Sequence, residues 1–125
     1  MTGFKIESER EVSGMCESIP LESTITAEIQ RYLSKLPDWW GFKVQGGGSQ
    51  MRGVPDIVGC YRGLFVGFEV KRPKVGKVSA LQAHRIEQIQ SAKGHAFVVY
   101  GVEDVKRELE GLGADAFAPS PGQVV

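Results

Sequence analysis

Apolar positions along the chain fall into short runs with two different periods. Ile25, Ile29, Tyr32, Leu33 and Leu36 recur at spacings of three and four, which predicts an amphipathic helix over Leu21–Leu36, stopped by Pro37. Trp39–Val44 is a short aromatic, β-rich run, and Gly46–Gly53 reads as a flexible loop. Asp56–Tyr61 and Leu64–Lys71 are strand-like, with Arg62-Gly63 between them as a two-residue turn of undetermined type. Pro73 ends the second run, and Lys74–Val78 is a basic loop. Ser79–Lys93 is a second helix. Ser79 and Gln82 form a capping box, Leu81, Ile86, Ile89 and Ala92 a partial apolar face, and Gly94 takes the C′ position. Ala96–Tyr100 is a buried-type strand and Glu103–Leu112 a short closing helix. The expected architecture is an α/β sandwich with a small mixed sheet, its last strand joined by a right-handed parallel crossover. Residues 1–20 show no period and read as a loose arm, 21–112 as the domain, and 113–125 as a tail.

A chain of 125 residues suits one domain with a real core. No apolar run approaches the roughly 20 residues of a membrane helix, and the first residues lack a secretory h-region. The expectation is a cytoplasmic protein. Cys16 and Cys60 lack CxxC spacing, which fits a reducing compartment and argues against structural zinc; Cys60 is expected to be small strand packing. Net charge is zero, from 15 basic and 15 acidic residues, yet it is unevenly spread. Between Gly41 and Lys93 nine Lys or Arg face three acids, so this stretch carries +6 and the flanks −6. A basic middle with a few embedded acids suits phosphate-backbone contact plus metal binding, and it also suits an ordinary solvated surface.

A two-residue turn at Arg62-Gly63 makes cross-strand partners sum to 125, which sets Asp56 opposite Glu69. Lys71 then projects from the same sheet face, and Val70 points into the core. Like charges directly opposed destabilise a sheet, and a hard divalent cation such as Mg²⁺ or Mn²⁺ relieves the repulsion. Lys71 could position or deprotonate an attacking water, or neutralise developing charge. On register alone, a Glu69–Lys71 surface salt bridge with Asp56 as a turn residue explains the pattern equally well.

Pro55-Asp56, a gap of 12 residues and Glu69-Val70-Lys71 resemble the PD-(D/E)XK signature of restriction-endonuclease-like nucleases. Gly53–Gly59, Gly67–Pro73, Ser79–Gln82 and Gly94–Val99 together resemble the VRR-NUC family, over roughly residues 21 to 112. The resemblance implies an αβββαβ core, Mg²⁺ or Mn²⁺ dependence and phosphodiester hydrolysis. It implies Asp56, Glu69, Val70 and an acid on the first helix as metal positions, with that acid, Asp56, Glu69, Lys71 and Gln82 in the catalytic set. Stand-alone members, often phage-encoded, resemble Holliday-junction resolvases and work as homodimers, so branched DNA is the expected substrate and a host cytoplasm the expected place.

Glu22 and Glu28 compete for the helix acid. At 100° per residue Glu22 falls on the stripe of Ile25, Ile29 and Leu36, and it is preferred, although it also suits a first-turn acid. Gln82 could contact the attacking water or the substrate phosphate, cap the helix, or do both. Gln50, Arg52, Arg72, Lys74 and Lys77 are expected on the nucleic-acid backbone, with the Gly46–Gly53 loop moving to reach it. Trp39 and Trp40 could stack on bases or form a dimer surface, at least one of them lying in the core. His84 and His95 read as structural or surface residues. The alternatives are a nuclease for flaps, nicks or linear duplex, and a non-catalytic binding module of the same fold.

Overall fold

The computed structural model describes residues 19–46 and 51–116. The expectations for the N-terminal arm as far as residue 18, for Gln50 and for the end of the tail lie outside these residues. The element order is α1 (Glu22–Ser34), β1 (Trp39–Lys43), β2 (Ile57–Tyr61), β3 (Leu64–Val70), α2 (Ala80–Ser91), β4 (His95–Val99) and α3 (Val102–Ala116). The four strands form one mixed sheet in the order β1-β2-β3-β4. β1 and β3 run antiparallel to β2, and β4 runs parallel to β3. Over the described residues the fold is thus α/β with three helices. Among the described residues no helix is long and apolar enough to cross a membrane.

The β2–β3 hairpin pairs Tyr61 with Leu64 and Ile57 with Phe68, the expected register. Arg62 has φ 52° and Gly63 φ 87°. Positive φ at both central residues is the mark of a type I′ turn, whose twist matches the strands it joins. Gly63 accepts that conformation without strain, whereas Arg62 needs support. It has support: the Arg62 amide donates to the Asp38 carbonyl at 3.0 Å, and its Nε to the Asp38 carboxylate at 2.8 Å.

Alternation along β3 divides the sheet into two faces. Val66, Phe68 and Val70 enter the core with Ile57, Val99, Ile25, Ile29 and Leu33 of α1, and Val105, Leu109 and Leu112 of α3. Trp39 and Phe97 stack against Phe68 there, with ring centroids 6.0 and 6.1 Å away. Phe65, Gly67 and Glu69 point to the opposite face. That face is only partly covered, because α2 buries none of its residues fully and packs against β4. Its apolar stripe is therefore a half-buried one, with Leu81 exposed.

Two helix ends and the setting of Cys60 differ from the sequence reading. α3 continues four residues beyond Leu112, to Ala116, so the domain takes in the start of the supposed tail. At the end of α2 it is Lys93, with φ 75°, that turns left-handed, not Gly94. The Lys93 amide donates to Gln90 O and the Gly94 amide to Ile89 O, which satisfies the last carbonyls of the helix. Cys60 is exposed, because it lies on the part of the sheet that α2 does not reach.

Candidate active site

Asp56 is held at three points just ahead of β2. Pro55 is fully buried and lies across β3 at Gly67, where a Cβ would come within 3.0 Å of Pro55 Cγ. Any larger residue there would push the proline away by a few tenths of an ångström. The Asp56 carbonyl accepts from Val44 N–H at 2.8 Å, continuing the β1–β2 ladder. Its carboxylate Oδ2 accepts from Val70 N–H at 2.8 Å, across the hairpin. These contacts carry the register one residue beyond the strand and set Asp56 beside Glu69.

Glu69 is the buried acid of the site, 1% exposed. Its Oε2 accepts from Gln82 Nε2 at 2.8 Å and stands 3.5 Å from Lys71 Nζ. Its Oε1 is buried with no hydrogen-bond partner. Burial pushes the carboxyl from its ordinary 4.5 up to about 8, the charge of Asp56 and a side-chain hydrogen bond with it add to the rise, and the Lys71 ammonium opposes it. Lys71 lies on the same face as Glu69, with its side chain 13% exposed and its amide donating to Val99 O.

Gln82 does two jobs at once. Ser79 Oγ accepts from the Gln82 amide at 3.1 Å, and Gln82 Oε1 accepts from Ser79 N–H at 2.9 Å, so the capping box is complete. Because a backbone N–H fixes Oε1, the amide NH₂ must face the other way, into Glu69. Replacing Gln82 by leucine is expected to lower the unfolding free energy by about 1–3 kcal/mol, since a buried carboxyl oxygen loses its donor. Ser79→Ala, which loses only the cap, is expected to cost about 1 kcal/mol. Denaturant titration of both single variants and of the double variant checks this. Strict additivity would show that cap and carboxylate are not linked.

The structure does not bring the first-helix acid to this cluster. Glu22 is exposed in the first turn of α1, and Glu28 is exposed further along. The angle of the apolar stripe reaches Glu22, but burial begins only at Ile25, so the core ends one turn short of it. Among the described residues no group of three or more His, Cys, Asp and Glu side chains is placed to hold a metal ion. Val70 turns its side chain into the core, as expected, which leaves only its backbone for the site.

Of the basic residues, Arg52, Lys74 and Lys77 are exposed. The Arg52 carbonyl is tied to α2 by Arg85 Nε at 2.9 Å, so the loop before Asp56 is anchored on the side of Met51–Pro55. Arg72 is otherwise engaged. It donates to the carbonyls of Pro20 and Ile19 at 2.8 and 3.2 Å, holding the approach to α1. His84 is exposed, and His95 stands on the core side of β4.

Pro55 and Gly67 are the residues that sequence reasoning missed in the placement of Asp56. The signal was present: in the Asp56–Glu69 register Gly67 lies two residues before Glu69, on the same face. A cavity of about 420 Å³ opens beside Asp56, lined by Lys43, Arg52, Val54 and Pro55 among others. The arrangement offers two adjacent carboxyls, one ammonium and an oriented amide, in a partly open sheet face next to basic side chains. Comparisons of the chain with protein-family models, with curated proteins and with solved structures found no significant match.

Proposed function

We propose that this chain is a divalent-metal-dependent DNA endonuclease with a restriction-endonuclease-like αβββαβ core, acting in the cytoplasm on branched DNA as a homodimer. One observation carries the reading. Glu69 Oε1 is buried and without a partner, in a carboxyl whose ionisation is opposed both by burial and by Asp56. A native structure rarely leaves such an atom unsatisfied: without metal a proton shared with Asp56 serves it, and a cation between the two acids would replace that proton.

The residues present fit Mg²⁺ or Mn²⁺ better than zinc. Two carboxylates without His or Cys is a hard-oxygen set, and Mg²⁺ commonly binds through one or two carboxylates plus substrate phosphate. Asp56 and Glu69 would hold the ion, with the backbone carbonyl of Val70 as the only group that residue can offer. When bound, such an ion polarises the phosphate and makes water a better nucleophile at neutral pH. Lys71 stands where it can orient the attacking water or neutralise charge on the phosphate oxygens. Gln82 keeps Glu69 facing the site. The exposed Arg52, Lys74 and Lys77 are available to the phosphate backbone.

The test is a cleavage assay on a four-way junction and on linear duplex of the same sequence, with Mg²⁺ and with EDTA. Metal-dependent cutting of the junction in preference to the duplex is the expected result. Cutting of both alike would assign the enzyme to simple duplex, and no metal-dependent cutting of any DNA would remove the nuclease reading. Sedimentation of the free protein checks the dimer, which paired cuts in a junction require.

A further inference from the structure

The sheet face that carries Asp56 and Glu69 continues, beyond the reach of α2, into an aromatic surface. Trp40 and Phe42 alternate with Trp39 and Gly41 along β1, so they point away from the core. Trp40 is 71% and Phe42 53% exposed, and their rings meet edge to face with centroids 6.0 Å apart. Phe42 pairs with Val58 and Trp40 with Cys60, on the same face as Asp56. From strand spacings, Phe42 is about 8 Å and Trp40 about 14 Å from Asp56 along the sheet.

We infer that Trp40 and Phe42 form a stacking platform for unpaired nucleotides next to the cleaved phosphate, which narrows the substrate to DNA with single-stranded or splayed bases at the cut. The inference rests on the nuclease reading for its location, and on three features of the surface for its occupant. The platform is continuous with the two carboxylates, with no element among the described residues between them. An edge-to-face pair leaves a ring face open, and every base can stack on such a face whatever its sequence. A cation stands on the side of the site: Arg52 is exposed and lines a cavity with Asp56. A duplex keeps its base faces inside the stack and cannot use the platform, whereas an unpaired strand can.

The experiment compares wild type, Trp40→Ala, Phe42→Ala and Trp40→Phe, binding a short oligothymidylate and a blunt duplex of equal length without divalent metal. Both side chains are exposed, so the variants are expected to keep the wild-type melting temperature. Each alanine variant is expected to weaken oligothymidylate binding about five- to 150-fold. Duplex binding should change by less than about twofold, and Trp40→Phe should retain most of the affinity. Quenching of tryptophan fluorescence by oligothymidylate should be lost in Trp40→Ala, because Trp39 faces the core. Unchanged affinity, or equal losses for oligothymidylate and duplex, would overturn the platform. So would a wild-type dimer that Trp40→Ala dissociates, since the face would then cover a second copy. Metal-dependent cleavage that is indifferent to Trp40 removes the platform and keeps the nuclease; Trp40-dependent oligothymidylate binding without any cleavage does the reverse.

Discussion

Asp56→Asn is expected to lower Mg²⁺-dependent cleavage at least about a thousandfold, a loss of about 4 kcal/mol of transition-state stabilisation, while the protein stays folded. Asparagine is the informative substitution. Its side-chain oxygen can still accept from Val70 N–H, which Asp56 Oδ2 binds at 2.8 Å, so the hairpin contact survives and only the charge goes. Alanine would leave that amide without a partner at a cost of about 1–3 kcal/mol, mixing lost stability with lost chemistry. Cleavage rates at saturating Mg²⁺, read together with melting temperature, separate the two. Activity equal to wild type in Asp56→Asn would show that this carboxylate holds no ion and that the site lies elsewhere.

The part of the site that rests on the hairpin was legible in the sequence. A two-residue turn fixes the register of both strands, and strand period then dictates which side chains share a face. Arg62-Gly63 therefore led from local turn chemistry to the Asp56–Glu69 pairing and to Lys71 beside it. The helix acid was not legible in the same way. A helical stripe gives an angle around the axis but not how far along it the core extends, and Glu22 lies on the right angle beyond the end of the core. The apparent conflict between Gln82 as cap and Gln82 as site residue was resolved by atoms a sequence does not show, since Oε1 serves the cap and Nε2 serves Glu69. The exposure of Cys60 and the pairing of Phe42 with Trp40 in one aromatic surface were not legible, for one shared reason. Strand alternation shows which residues face away from the core, but only the position of α2 shows which of them a second layer covers. The closing helix was drawn short at Leu112 because the residues beyond it are small and polar, and helix propensity without an apolar stripe leaves its end unmarked.

Metal-free protein is expected to lose stability as pH rises from about 5 to about 8.5, the opposite of the behaviour of an ordinary salt-bridged acid. Folding moves the Glu69 carboxyl from its ordinary 4.5 to about 8, chiefly by burial and then by the charge of Asp56. Between those values the folded state holds a proton that the unfolded state has released, so stability falls with pH across the window and levels off above it. The full contribution is present below 4.5 and gone above about 8. At 1.36 kcal/mol per unit, this single group accounts for up to about 5 kcal/mol. That corresponds to a fall in melting temperature on the order of 10 °C or more for a domain of this size. Two controls tie the effect to the site. Glu69→Gln keeps the shape and an acceptor for Gln82 but cannot ionise, so its melting temperature should be nearly flat across the window and exceed wild type at pH 8.5. Mg²⁺, by binding the ionised pair in the folded state, should restore stability to wild type at pH 8.5 and do little for Glu69→Gln. A wild-type melting temperature that stays level or rises between pH 5 and 8.5 in EDTA would mean that Glu69 is already ionised in the fold. The fold would then carry the Glu69 charge with EDTA present, and its burial would call for no cation to offset it.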